Sequence, residues 1–530
     1  MVSLFSSLNI AKGALNVNES AISVVSHNVA NMNTEGYSKQ KVNLATRNIA
    51  GMIGDNVEAQ VRANGGVMIE NIMRYTDEYL NNYYRSQLSV LKDYEQQLGD
   101  LDDLADIFND LDGEGIDAAI SDLYKALDYL LEYPASASTR TNFVETAKTL
   151  VSVLNSKSVQ LDKLVGLGDG ESAEALDDSK ITSLSVQFNN LLEELADVNK
   201  ALQVTQTGTL EANNLLDKRD LILNNIAEYV DIRIKEHPNG SVNLYVGDVP
   251  VVKGATVTGK LELKTAKQYC IDNGLTYPDD WVDAEGNPKP AAVISIVGET
   301  TISYANDILK GGSIGGMLSS SELGGEGMNA GKARQALNNI AAALADMFNE
   351  LNSRDGAYSI DHNNTRNLTP TWADNNIFVN ADGTTSGITA ANITVSSNLL
   401  TDTGIWDIAC AYFTDVDDNY DVNAVGNSQN IVAMLNTRDK IHPLLDNMSL
   451  EDYYSAFLGR IATGGSNAKN LVETQGDIVD SILNQIKSSN TVDLNEELID
   501  LVKYQTAYSA AAQVFNTVNS CLDTLISLGR

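Results

Sequence analysis

The residues closest to recognisable chemistry are two glycine-rich runs, one aspartate-rich run, four histidines and three cysteines, and each set lacks a partner its chemistry requires. A phosphate-binding loop combines a glycine-rich turn with a lysine for the phosphates and a Ser or Thr for magnesium. The run Gly311-Gly312-Ser313-Ile314-Gly315-Gly316 has the glycines but no following Lys-Ser/Thr, while Gly331-Lys332 has Glu326 at the first glycine position and Ala333 at the magnesium-ligand position. Asp415-Val416-Asp417-Asp418-Asn419-Tyr420-Asp421 opens with calcium-loop spacing, yet Tyr420 replaces the required glycine and Gly426 stands where the bidentate glutamate belongs. His27, His237, His362 and His442 are scattered, and Cys270, Cys410 and Cys521 contain no C-x-x-C pair. Zinc ligation, a disulfide framework and His-based catalysis are therefore not indicated. The pattern predicts no enzyme: no catalytic residues, no metal and no cofactor, with a solvated loop at the aspartate-rich run.

The more informative residues are apolar and sit at the two ends. Leu4, Leu8, Ala11, Leu15, Asn18, Ile22, Val25, Val29 and Met32 step by alternating fours and threes, and so do Leu494, Leu498, Leu501, Gln505, Tyr508, Ala512, Phe515, Asn519, Leu522 and Ile526. Such seams suit helices but are too narrow to be buried by one helix alone, so each needs a partner helix. The nearest candidate is the other terminus, paired as a coiled coil. Either a helical hairpin closes a monomer, or the two ends present an interface for assembly, with Leu4, Leu8, Leu15, Ile22, Val25, Val29, Leu494, Leu498, Leu501, Tyr508, Phe515 and Leu522 in contact. The opposite face of the last helix, with Asn495, Glu496, Asp500 and Lys503, reads as ordinary solvated surface.

Charge and length limit what these ends can serve. The 530 residues carry 71 acidic and 36 basic side chains, a net charge of −35, which repels phosphate backbones and anionic lipid, so neither nucleic acid nor membrane is an expected partner. The acidic stretch between Asp93 and Glu132 interleaves with Leu98, Leu101, Leu104, Ile107 and Leu111, the solvated face of an amphipathic helix. The N-terminus has no charged n-region followed by an apolar core, and no run of about 18 apolar residues is present to span a bilayer.

Between the ends the pattern is helical from Tyr75 to Tyr133, broken at Pro134, resumed to Leu164, interrupted by the Gly-rich acidic segment 166–178, and helical again from Ile181 to Val230. Ile232 and Ile234, the turn Pro238-Asn239-Gly240, then Val242, Leu244 and Val246 alternate as a hairpin. Further strands follow to Ile302, helix returns from Ala330 to Leu351, Asp355 to Asn430 is Asn-, Asp-, Thr- and Gly-rich, and the chain is helical from Ser449 onward. The fold class expected is mainly α with an inserted β-rich domain: a paired terminal-helix domain of 1–55 plus 485–530, a rod-like helical middle domain of 56–230, 311–352 and 431–484, and a β-rich outer domain of 231–310 and 353–430.

Three segments carry a resemblance. Ser26-His27-Asn28-Val29-Ala30-Asn31-Met32-Asn33-Thr34-Glu35-Gly36-Tyr37 resembles the signature of bacterial flagellar axial proteins, in which Asn28, Asn31, Asn33, Thr34, Gly36 and Tyr37 are the matching positions. Asn31 and Asn33 leave a helix through local backbone bonds and Gly36 permits the turn, so helix hands over to strand or loop there. Ser38-Lys39-Gln40, then Asn213 to Leu221 with Asn239 to Val246, then Val492 to Leu498 with Tyr504 to Tyr508, are similar to the hook-associated protein 1 family. Lys39 stands where that family more often has Arg, which keeps the charge but loses the planar fork. The resemblance implies a structural, non-catalytic role at the junction of hook and filament, in a ring-like self-assembled zone touching the hook protein and a second junction protein. It also implies export without a cleavable signal through the flagellar type III apparatus, and a cytoplasmic chaperone on Leu498, Leu501, Tyr508 and Phe515. The alternatives are a hook, rod or flagellin-like axial protein, or an axial protein with an adhesive outer domain.

Overall fold

The structure, a computed structural model, describes residues 4–48, 64–109, 115–165, 180–262, 270–271, 274, 276, 293–296, 299–302, 308–321, 327–360, 368–370, 375–413 and 427–528. It is mostly helical with small antiparallel sheets. The candidate calcium loop at Asp415 to Asp421 and the acidic break 166–178 lie outside the described residues.

Helix α1 (Leu4–Asn31) is followed by the antiparallel pair β1 (Gln40–Asn48) and β2 (Asn64–Arg74). The body opens with α2 (Glu78–Ile107), whose first turn is capped by Asp77 Oδ1 accepting from Leu80 N–H at 3.1 Å. Next come α3 (Ile116–Glu132), then α4 (Ala137–Val165) just past Pro134, α5 (Lys180–Val204) and α6 (Leu210–Ala227), the last capped by Thr209. Strands β3 (Ile232–Glu236), β4 (Val242–Val246), β5 (Val249–Lys253) and β6 (Thr256–Val257) form one sheet in sequential order. Gly240, at φ 82°, turns β3 into β4 where the sequence placed Asn-Gly. Strands β7 (Gly259–Glu262), β8 (Val293–Ile296) and β9 (Glu299–Ile302) form a second meander.

The glycine-rich run opens a helix, α7 (Gly312–Ser321), in the stretch assigned to the helical middle. A Cβ on Gly316 would come within 2.7 Å of Asp93 O and 2.8 Å of Asp93 Oδ1, so these glycines let α7 lie directly on α2. After α8 (Ala330–Ser353), strands β10 (Ala357–Ile360), β11 (Leu368–Pro370), β12 (Phe378–Val379), β13 (Thr394–Val395) and β14 (Ala411–Tyr412) are short. Helix α9 (Gln429–Leu435) leads to α10 (Leu450–Asn490), and a three-residue break at 491–493 precedes α11 (Leu494–Leu528).

The apolar packing separates into distinct clusters. The main one runs from Leu101 to Ala468 and joins helices to strands: Phe348 of α8 packs against Tyr124, Phe143 and Phe378, while Val242, Leu244 and Val246 enter from β4. The segment 375–413 is part of this core through Phe378, Val395, Leu399 and Ile408. Arg140, fully buried, ties it to α4 by donating to the carbonyls of Ile405 at 3.2 Å and Ile408 at 2.9 Å. A small second cluster contains Ala21, Val24 and Val42 with Ile69, Ile72, Leu210 and Tyr504. A third joins Leu88, Leu91 and Val479.

Candidate assembly site

The terminal helices pack against each other, and the residues that fasten them are polar. Helix α1 ends as the asparagines suggested: Asn31 Nδ2 donates to His27 O at 3.0 Å, Thr34 N–H donates to Asn31 O at 2.9 Å, and Gly36 adopts φ 75°. This returns the chain so that Tyr37 and Gln40 face the last turns of α1. Asn28 is 1% exposed and all of its hydrogen-bonding capacity is used. Its Oδ1 accepts from Tyr37 OH at 2.7 Å and Gln40 N–H at 3.0 Å; its Nδ2 donates to Gln40 O at 2.8 Å and to Glu497 Oε2 at 3.0 Å. The last of these bonds joins α1 to the first turn of α11.

Glu497 is a buried carboxylate, and its second neighbour is Lys39 Nζ at 3.3 Å. Lys39 also reaches Glu496 Oε2 at 2.6 Å. Burial works against the Lys39 ammonium, but Glu496 and Glu497 outweigh it and raise its pKa; Lys39 in turn lowers that of Glu496. Glu496 is solvated, as its place on the outer face suggested, and is in addition an ion-pair partner across the terminal joint. Burial, with Asp217 and Glu497 nearby, pushes the Tyr37 phenol well above its ordinary value, so it stays protonated and donating.

The segment Asn213 to Leu221 on α6 supplies the other side of the joint. Asn213 Nδ2 donates to Gln40 Oε1 and to Ile72 O, each at 3.0 Å, and Gln40 Nε2 donates to Asn214 Oδ1 at 3.2 Å. Arg74, the last residue of β2, donates to Asp217 at 2.9 Å and to Asp220 at 2.6 Å. Arg85 of α2 and Arg219 also converge on Asp220, at 3.2 and 2.9 Å, and Arg219 continues to Glu236 of β3 at 2.8 Å. Burial alone would raise the Asp220 pKa, but Arg74, Arg219 and Arg85 together hold it at about 2. The seam between the terminal cluster and the main core is therefore a continuous polar network linking β2, α6, α2 and β3. Gly240 belongs to it as well, since its carbonyl accepts from Arg219 and a Cβ there would meet Leu216 at 2.6 Å.

The apolar residues named from the sequence divide. On α1, Val25 is buried, while Leu4, Leu8, Leu15, Ile22 and Val29 are half-buried. The buried line of α1 is Ala11, Val17, Ala21, Val24 and Asn28, rotated from the expected seam because α1 covers the hairpin as well as α11. On α11, Leu501, Phe515 and Leu522 are half-buried, whereas Leu494, Leu498 and Tyr508 are exposed, as are Ile499, Val502 and Val514. Of the signature residues, Asn28 and Tyr37 build the latch and Asn31 closes the helix. Asn33 and Thr34 lie at the exposed turn, and Gly36 packs beside Leu221. Pattern reading did not foresee Arg74, Arg85 or the buried role of Glu497; the available signal was the adjacent Glu496-Glu497 pair opening a helix that was expected to pair. Among the described residues no group of three or more His, Cys, Asp or Glu is placed to hold a metal, and no helix is long and apolar enough to cross a membrane.

Three family models match the chain. The flagellar hook-associated protein FlgK helical domain covers residues 101–363, the flagella basal body rod protein covers 8–37, and the flagellar basal body rod FlgEFG protein C-terminal covers 486–528. The two rod matches fall on the segments that meet at Asn28 and Glu497. Flagellar hook-associated protein 1 of Bacillus subtilis is 24% identical over 533 residues, covering 99% of both chains. The protein of the same name from Salmonella typhimurium is 24% identical, over 98% of this chain and 99% of its own, and that of Escherichia coli is 22% identical with the same coverage. The solved structure of the flagellar hook junction protein FlgK from Burkholderia pseudomallei shares the fold, with a TM-score of 0.55 at 13% identity over 77% of this chain and all of that one. These matches lie end to end along the chain, and over its full length it is similar to proteins named flagellar hook-associated protein 1.

Proposed function

We propose that this chain is a structural, non-catalytic subunit of the bacterial flagellum that forms the junction zone between hook and filament, with α1 and α11 paired as a coiled coil that assembles against neighbouring copies. The observation that carries this reading is the full-length match to relatives named flagellar hook-associated protein 1, with the two ends latched to each other at the signature. Charge supports self-packing at these ends: in a chain of net charge −35, residues 504–522 contain no charged side chain. Identical copies around an axis would repeat any charge there at close range, and a charge-free stripe avoids that repulsion.

The terminal unit of 1–55 and 485–530 takes in the rest of the hairpin to Arg74, because Val42, Ile69 and Ile72 share its cluster. The helical middle and the strand-bearing segments 231–310 and 353–430 stand outward of it. Hook protein and a second junction protein are the neighbours along the axis. Export runs through the flagellar type III route. Before export, a cytoplasmic chaperone covers the exposed stripe of α11, in which Leu498 and Tyr508 are accessible and Leu501 and Phe515 become so when α11 lifts from α1.

Electron microscopy of the bacterium lacking this gene tests the reading. Complete hooks without filaments are expected, with filaments restored by the intact gene. Filaments of normal length on the deletion strain, or loss of the hooks themselves, would overturn it.

A further inference from the structure

Two stretches of chain connect the terminal pair and its hairpin to the body: 75–77, between β2 and α2, and 491–493, between α10 and α11. Lys39 is bonded to both crossings. Its N–H donates to Asn490 O at 3.1 Å, at the end of α10, and its carbonyl accepts from Tyr75 N–H at 2.9 Å, at the approach to α2. Its ammonium meets Glu496 and Glu497 on the first turn of α11 at 2.6 and 3.3 Å.

Exposure gives this arrangement a direction. The Lys39 and Glu497 side chains are 14% and 3% exposed, while Glu496 is 57% exposed. With α11 docked, the half-buried ammonium has two carboxylates; with α11 lifted, it has neither and lies beside Ala21, Val24, Val25 and Val42, where an uncompensated ammonium is unfavourable. The residue then gains by turning its side chain to water, and that rotation moves the peptide groups on either side of it. These are the groups that hold Asn490 and Tyr75.

We propose that Lys39 is the pin of this joint, coupling the docking of α11 on its own α1 to the rigidity of both crossings between terminal unit and body. Lys39 acts as a positioning residue and touches no ligand. Lifting α11 onto another partner loosens the joint, and docking it stiffens the joint, by the reciprocity that any coupling between two equilibria obeys. The inference rests on this geometry and not on the junction reading.

Hydrogen exchange of the full-length protein, resolved to the Tyr75 amide by electron-transfer fragmentation, tests it. The Tyr75 amide is the decisive readout, because the Lys39 ammonium bonds Glu496 and Glu497 on α11 and a purely local role would leave Tyr75 unmoved. The double variant Glu496→Gln, Glu497→Gln leaves the ammonium without a carboxylate and is expected to speed exchange at least tenfold both in 494–504 and at Tyr75; the single variant Glu497→Gln, expected to act in the same direction, keeps the test decisive if the double variant does not fold. Lys39→Met removes the charge that turns to water, so it is expected to speed exchange in 494–504, where Glu497 loses its counter-charge, and to leave Tyr75 within threefold of the parent; Lys39→Arg is expected to keep both within threefold. If the Tyr75 amide exchanges at the parent rate in the glutamate variants, or accelerates as much in Lys39→Met as in them, the Lys39 charge does not couple the two crossings and the proposal is overturned.

Discussion

Two aspartates show how burial and partners decide the behaviour of a single residue. Asp100 of α2 is 2% exposed; one oxygen accepts from Gln96 Nε2 at 2.6 Å and the other has no hydrogen-bond partner. Burial pushes its carboxyl up to about 6, against the opposing pull of Ser320, Lys180 and Gln96. The folded chain thus holds a proton that the unfolded chain, with a pKa of about 4, releases first. The stability from Asp100 is complete below about pH 4 and falls as the pH rises through about 6. Asp100→Asn should therefore raise the unfolding free energy at pH 7.5 by about 1–3 kcal/mol and leave it unchanged at pH 4, as read from urea midpoints. Asp220 behaves in the opposite sense. Held at about 2 by three arginines, it contributes fully above the unfolded pKa and loses that contribution as the pH falls through 2. Asp220→Asn leaves those arginines short of a counter-charge, and a cost of about 3–5 kcal/mol at neutral pH is expected in the same assay.

At the scale of the element, glycines in two helices have opposite meanings. Gly316→Ala puts a methyl against Asp93 O and Oδ1 at under 3 Å, forcing α7 from α2, and should destabilise by about 1–3 kcal/mol. Gly465, in α10, has nothing within 4 Å of a built Cβ, so Gly465→Ala should stabilise by about 0.5–1 kcal/mol through helix propensity. Thermal unfolding of the two variants side by side checks both signs. Helix α11 has a half-buried side and an exposed side. Leu498 is 47% exposed, so Leu498→Asp should leave the α1–α11 pair intact by hydrogen exchange while blocking filament attachment. Phe515 is half-buried on a helix that packs against α1, and Phe515→Asp should release the pair as well as block attachment. Equal exchange protection in the two variants would show that α11 does not divide in this way.

For the whole molecule, the separation of apolar clusters sets what can be removed. Among the described residues, the buried members of the main cluster run from Leu101 to Ala468, with Leu98 packed against them. Deleting residues 1–38 and 491–530 should leave its cooperative unfolding in place, with the thermal midpoint lowered by less than about 10 °C. A larger fall in calorimetry would mean that the terminal pair supports the core. The polar seam accounts for the separation: Asn28, Gln40, Arg74, Asp217 and Asp220 join the two parts through directional bonds, which fix orientation while burying little apolar surface.

The sequence alone determined which stretches are helical and where the first hairpin turns, but not the breaks at 205–209 and between Ile107 and Ile116. The 3.6-residue apolar spacing marked the long helices at both ends and through the body, Asn239-Gly240 marked the β3–β4 turn, and Pro134 marked the break between α3 and α4, because each follows from local backbone preferences and periodicity. The resemblance in Asn28 to Tyr37 and in Asn213 to Leu221 pointed to the family, but not to why those side chains stand there. Only the tertiary structure decided that. Asn28 and Glu497 are 469 positions apart, as are no two groups whose pairing periodicity can register, and Arg74, Arg85 and Arg219 reach Asp220 from three different elements. Seam rotation on α1 was likewise undecided in one dimension, since a helix that covers both a hairpin and a second helix buries a face chosen by two partners at once. Helical spacing fixes which residues share a stripe; burial of a charge or an amide depends on what the rest of the chain brings to meet it.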